Sequence, residues 1–324
     1  MSMTARAMTS TLLVAFLGCA TSTSAPEPGP AATADTLKQF KIVGYFPTWQ
    51  GKVEDIQFGR ITHLNYAFVL PTPAGGLTAL EEPGRLRKLV EGAHKHGVKV
   101  SIAIGGWNDG NDKAFEQVGA DAALRAAFVE AVAAFVNEYQ LDGVDMDWEY
   151  PDPGQSGQNF LALMQQLRAR LAPMGKLLTM AVVGDGRTAA GIPDQTFPLV
   201  DFVNIMAYDA DEDKRYVHHS PFEYSELCLD FWLARGLPRD KAILGVPFYG
   251  KKPYTDYHKI VARDPKAPQE DQVGDIRYNG LDTIRKKTAL AARKGGGIMI
   301  WELSQDTGDA TSLLRAIREA APGG

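Results

Sequence analysis

An α/β fold, specifically a single closed (β/α)8 barrel of the TIM type, is what the sequence predicts, and three observations predict it. Eight short apolar runs recur between Lys41 and Leu303, and most of the gaps between them carry a helical period. No glycine-rich dinucleotide fingerprint follows the first run, which favours closure over an open doubly wound sheet. With 45% apolar and 23% charged residues, the 324-residue chain can fill one large core.

Taken in order, residues 1–19 read as an export signal: Arg6 precedes the apolar run Leu12–Leu17, too short to span a bilayer, and then the small-residue step Gly18-Cys19. Because Cys19 follows "FLG", the segment resembles a bacterial lipoprotein signal, which implies a lipidated Cys19 and membrane attachment in the periplasm or at the cell surface; ordinary secretion is the alternative. Residues 20–37, rich in Ala, Ser, Thr and Pro without an apolar period, read as a flexible linker, and residues 38–324 as the barrel, expected to be a monomer. Beyond Cys19 the one remaining cysteine, Cys228, cannot form an intrachain bridge and reads as a helix core residue. A net charge of -5 argues against a nucleic-acid partner.

The predicted strands are 41–46, 61–70, 98–104, 141–149, 177–183, 200–208, 242–250 and 296–303. Between them, Leu86, Leu89, Val90 and Ala93 mark a helix that Gly97 can end in a left-handed cap. Leu124, Phe128, Val132, Phe135 and Tyr139 share one face of a helix over 121–139, as do Phe160, Leu163, Met164, Leu167 and Leu171 over 158–171. Weaker helical patterns lie at 221–235, 281–294 and 309–320, whereas 51–60 is too short and polar for a long helix.

The fourth strand contains "LDGVDMDWEYP", with Asp142, Asp145, Asp147 and Glu149 in a stretch that should bury apolar surface. Strand side chains alternate, so Asp145, Asp147 and Glu149 share one face, while Val144, Met146 and Trp148 share the other. The apolar set suits packing against helices, which turns the acids inward in a column climbing roughly 6 to 7 Å per same-face step. Buried carboxylates without partners are costly and raise one another's pKa, so stability does not explain the column. Glu149, last in it, lies at the end of the strand where barrel active sites form. A calcium loop would need Gly at its sixth position and an acid at its twelfth, but counted from Asp145 these are Tyr150 and Ser156. A solvated edge strand leaves Met146 and Trp148 unexplained, and a divalent metal held by carboxylates alone competes; His94, His96, His218 and His219 show no metal-ligand spacing.

"DGVDMDWE" resembles the D-x-x-D-x-D-x-E motif of family 18 glycoside hydrolases, the chitinase family, with Asp142, Asp145, Asp147 and Glu149 in its acidic positions. "AIGGW" (103–107) and "MAYD" (206–209) are similar to the family's third-strand and sixth-strand motifs, and "GYF", "LGVPFYG" and "GGIMIWEL" to its first, seventh and eighth strands. One position departs from the family: Ala103 stands where Ser usually supplies a hydroxyl to the inner aspartate, and Ser101 is the nearest same-face substitute.

The resemblance implies retaining, substrate-assisted cleavage of N-acetylglucosamine polymers such as chitin, with no cofactor and no metal. It assigns Glu149 as general acid and then base, Asp147 to the acetamido N–H, Asp145 to proton sharing with Asp147, and Tyr208 to the acetamido oxygen. Asp142 becomes a supporting residue. Tyr45, Met206, Asp209 and Trp301 would surround the cleaved sugar, Trp107 would carry the sugar on the leaving side, and Gly105 and Gly106 would shape the strand end. The span 251–294 is too short for the extra domain many members carry there, which predicts an open groove and internal, non-processive cleavage. An endo-β-N-acetylglucosaminidase acting on N-glycans shares the motif, and an inactive sugar-binding barrel is a third reading.

Overall fold

A computed structural model of the chain describes residues 40–211 and 215–323. The expected signal over 1–19, the linker over 20–37 and the lipidation of Cys19 lie outside the described residues.

Eight parallel strands close into a barrel: β1 (Lys41–Pro47), β2 (His63–Val69), β3 (Lys99–Gly106), β4 (Gly143–Trp148), β5 (Leu177–Val183), β6 (Phe202–Met206), β7 (Ala242–Pro247) and, after two short hairpins, β12 (Gly297–Trp301), which pairs with both β7 and β1. The hairpin strands are β8 (Tyr249–Gly250) with β9 (Thr255–Asp256), and β10 (Gln272–Val273) with β11 (Ile276–Arg277). The α-helices are α1 (Pro83–Lys95), α2 (Lys113–Ala120), α3 (Ala122–Glu138), α4 (Gln155–Leu171), α5 (Phe222–Ala234), α6 (Tyr257–Arg263), α7 (Leu281–Lys294) and α8 (Leu313–Ala320).

Local chemistry sets these boundaries. Pro83 opens α1, where its missing N–H costs nothing, and Gly97, at φ +72, follows its end as expected. The Asp121 carboxylate caps α3 by accepting from the N–H groups of Ala123 and Leu124. The outward face of β4 packs as the alternation predicts: Trp148 stacks on Phe115 of α2 at 5.0 Å, meets Phe160 of α4 edge-on at 5.9 Å, and donates from Nε1 to Asp112 at 3.1 Å. The barrel interior holds a smaller apolar cluster in which Ala67, Ala103 and Ala181 are the slender members, leaving room for the inward acids.

Helix fills most of the gaps, as the periodicity predicts, and the β5–β6 connection, where no helical period is read, carries only 3-10 turns at Thr188–Gly191 and Asp194–Leu199. There Pro193 and Pro198 interrupt the backbone hydrogen bonding a longer helix needs. The structure corrects several sequence expectations. The predicted strands 141–149, 200–208 and 242–250 overrun the ladder: 141–142 and 200–201 precede it, and 149, 207–208 and 248–250 lie beyond its end at the barrel mouth. Helix α2 was not expected; its eight residues are too few to show a period after the polar loop "NDGND". The span 251–294 holds one helix more than the sequence suggests, α6, beside α7.

Candidate active site

The inward acids of β4 rise into a cleft of about 1010 Å³ at the C-terminal mouth of the barrel. Register fixes their neighbours: Asp145 lies between Ala103 of β3 and Thr179 of β5, and Asp147 lies beside Gly105. Asp145 is fully buried and accepts hydrogen bonds from Thr179 Oγ1 at 2.5 Å, from Asn204 Nδ2 at 3.1 Å and from the Tyr45 hydroxyl. Burial pushes its carboxyl up to about 6, with those three donors pulling the other way. The hydroxyl absent at Ala103 is therefore supplied from the opposite neighbour, Thr179, while Ser101 lies one step lower, opposite Gly143.

Asp147 is buried too, and among the described residues its Oδ1 has no hydrogen-bond partner. Burial first, then the charges of Glu149 and Asp145, raise its carboxyl well above the usual carboxylate range. Glu149 stands one residue past β4, part-exposed on the cleft wall. Tyr208, beyond the end of β6, lines the same cleft: burial, then the charges of Asp147 and Glu149, push its phenol far up. The Tyr208 hydroxyl lies 4.0 Å from Met299 Sδ. Position 149 thus shares the cleft with position 208 and does not face the helical shell.

The sequence model of glycosyl hydrolases family 18 matches residues 41–306. The chain belongs to this family. Chitinase A1 of Niallia circulans is 27% identical over 85% of this chain, which in turn spans 58% of that longer protein. Among solved structures, the family 18 chitinase ChiB from the chitin utilization locus of Flavobacterium johnsoniae superposes with a TM-score of 0.79 at 31% identity, covering 87% of this chain and 94% of that one. A chitinase from Bacteroides thetaiotaomicron gives 0.77 at 25% identity, covering 87% and 96%.

The remaining residues that the sequence singles out fall into three groups. Tyr45, Gly105, Trp107, Met206, Asp209 and Trp301 line the same cleft as Asp147, Glu149 and Tyr208. Tyr45 nevertheless commits its hydroxyl to Asp145, so it supports the acid as well as facing Trp301, whose ring it meets edge-on at 5.6 Å. Asp209, in the left-handed region at φ +62, accepts from Tyr249 at 2.7 Å and lies 3.1 Å from Lys251 Nζ and 3.4 Å from His219 Nδ1. Burial favours the neutral form of Asp209, but these donors outweigh it and hold the carboxyl below its usual range.

Gly106 serves the backbone instead: at φ +82, a Cβ there would press within 2.6 Å of the Phe68 ring, and one on Gly105, at φ +119, within 2.1 Å of the Asp147 carbonyl. Asp142 lies apart, at the opposite end of β4. It accepts from Lys99 at 2.9 Å, from the Val100 N–H at 2.9 Å and pairs with His94 at 2.7 Å.

Several cleft residues had escaped sequence reasoning. Thr179 and Asn204 are ordinary strand residues, and only the closed register reveals that they face Asp145. Trp49, Phe68 and Tyr254 extend the aromatic lining, with Phe68 stacked on Trp301 at 5.5 Å and Tyr254 on Tyr249 at 4.6 Å. On the far wall Arg215 forms a bidentate pair with Asp185 at 2.7 Å. The clustering of aromatic residues at or just past strand ends is the one signal that points to Trp49, Phe68 and Tyr254. Among the described residues no group of three or more His, Cys, Asp or Glu side chains could hold a metal ion.

Proposed function

We propose that this chain is a chitinase that hydrolyses β-1,4-linked N-acetylglucosamine polymers with retention, using the substrate's own acetamido group as nucleophile. The observation that carries this reading is the buried Asp147 Oδ1, an acceptor without a donor at the floor of the cleft. Leaving such an oxygen unpaired is costly, and an acetamido N–H is a donor of the right kind to satisfy it. The amide carbonyl then turns toward the anomeric carbon, steered by the Tyr208 hydroxyl, and attacks as the glycosidic bond breaks. Glu149 protonates the leaving oxygen and afterwards removes a proton from the water that opens the cyclic intermediate. Asp147, ionised or sharing its proton with Asp145, stabilises the positive charge on the ring nitrogen.

Internal, non-processive cleavage is supported by the short span between β7 and β12 and by the 61% exposure of both Trp49 and Trp107, which leaves the cleft's aromatic faces open to solvent. Export and anchoring through Cys19 rest on residues 1–37 alone, and the intact mass of the native protein tests them.

The deciding experiment offers chitotetraose and a high-mannose glycoprotein in parallel and follows products over time. Cleavage of the tetramer, with products of mixed length from longer chitin oligomers, is the expected result. Release of glycan from the glycoprotein with the tetramer untouched replaces the reading by an endo-β-N-acetylglucosaminidase, and exclusive release of dimers from one end overturns non-processive action.

A further inference from the structure

We propose that Lys287 is a positioning residue for Tyr208, acting through the hydroxyl of Ser220 on the carbonyl of Ala207; the inference rests on the role given to Tyr208 above. Lys287, on α7, is fully buried, yet each of its three acceptors is neutral. Its Nζ donates at 2.7 Å to the Ser220 carbonyl, the Ser220 Oγ and the Asn279 Oδ1. The Ser220 Oγ, accepting from the lysine, must place its own proton elsewhere, and it donates at 2.7 Å to the carbonyl of Ala207. Ala207 is the residue immediately before Tyr208.

The surrounding bonds give the chain a direction and a second anchor. Asn279 Nδ2 donates to the Ser220 carbonyl at 2.9 Å, which turns its amide oxygen toward Lys287. His218 accepts at Nδ1 from the Ser220 N–H, leaving Nε2 to donate to the Tyr278 carbonyl at 2.7 Å. On the other side of the Tyr208-Asp209 pair, the Ala210 N–H donates to the His219 carbonyl at 2.8 Å. Both flanks of the site segment are thus tied to 218–220, and that stretch is tied to α7 through one ammonium.

Burying an ammonium among neutral acceptors is an expensive way to fill space, and an apolar side chain of similar volume would pack there at less cost. What the lysine supplies is three directed donors converging on one loop. Burial lowers its pKa to about 7, against the attraction of Asp271, Cys228 and Glu223. His218 and His219, which face it from the loop, each feel its charge and are themselves held neutral by burial. Neutral lysine has two N–H groups for three acceptors, so the anchor loosens as pH rises through this value.

Kinetics on chitotetraose with wild type, Ser220→Ala and Lys287→Met test the proposal. Orientation losses at an intramolecular attack reach about 100-fold for a displacement of about 1 Å. Ser220→Ala is expected to lower kcat about 10-fold and Lys287→Met about 100-fold, each leaving KM within about 2-fold. As pH rises through about 7, wild-type kcat should fall with an ionisation that kcat of Lys287→Met lacks. A folded Ser220→Ala with wild-type kcat overturns the proposal, as does a loss confined to KM or an alkaline limb unchanged in Lys287→Met. Should Lys287→Met fail to fold, Ser220→Ala decides, since it removes one buried hydroxyl. Absence of turnover by the wild type would instead refute the chitinase reading on which the proposal rests.

Discussion

Asp142 and Asp147 stand five residues apart at opposite ends of β4, and their surroundings are opposite in kind. Asp142 has Lys99, His94 and the Val100 N–H around it, donors that outweigh burial and keep its carboxyl below the usual range. Among the described residues Asp147 has no paired cation and its Oδ1 no donor, and burial with two acidic neighbours drives its carboxyl well up. The first arrangement clips β3 to β4 and stabilises the barrel. The second costs stability, which is reasonable only where substrate supplies what is missing. On the proposed function, a single strand separates support from chemistry by position along the barrel axis.

Substitutions along the strand should reproduce that gradient. At its upper end, Glu149→Gln keeps shape and hydrogen bonding but cannot deliver a proton, so turnover of chitotetraose should fall by about 1,000-fold or more while calorimetric binding of the oligomer stays near wild type. Asp147→Asn should lower kcat by roughly 100-fold with KM little changed, because its amide cannot stabilise a positive charge as a carboxylate does.

Asp145 gives a stability signal with a definite sign. Its folded-state pKa, about 6, lies above the unfolded value, so its contribution is fully present in acid and is lost as pH rises through 6. Between pH 4 and pH 7, denaturant unfolding should show wild type losing about 2–3 kcal/mol more than Asp145→Asn does. At the lower end Asp142→Asn should leave kcat/KM within about 2-fold and cost only about 1–2 kcal/mol, since its carboxylate is part-exposed. The sign is reversed there: the depressed pKa of Asp142 contributes stability above the unfolded value, which is lost on acidification.

Much of this was legible from local pattern. Alternation in 141–149 separates Trp148 from Asp147, and the helical period of 158–171 supplies the surface on which Trp148 packs. What a one-dimensional pattern does not contain is lateral register. That Thr179 and Asn204 meet Asp145, and that Ala103 leaves space for it, follow only once the sheet closes and each strand is staggered against the next. The loops beyond β6 and β7 were hidden for the same reason, because Lys287, on a helix of the outer shell, contacts Ser220 67 residues away.

The central claim is that the cleft is built around the substrate's own acetamido group. Proton NMR of a reaction time course, run on chitotetraose and on its fully deacetylated counterpart, tests it most directly. The acetylated tetramer is expected to be cleaved, with the β-anomer appearing first at the new reducing end, and the deacetylated tetramer to be left intact. Cleavage of the deacetylated tetramer at a comparable rate, or first appearance of the α-anomer, would contradict it.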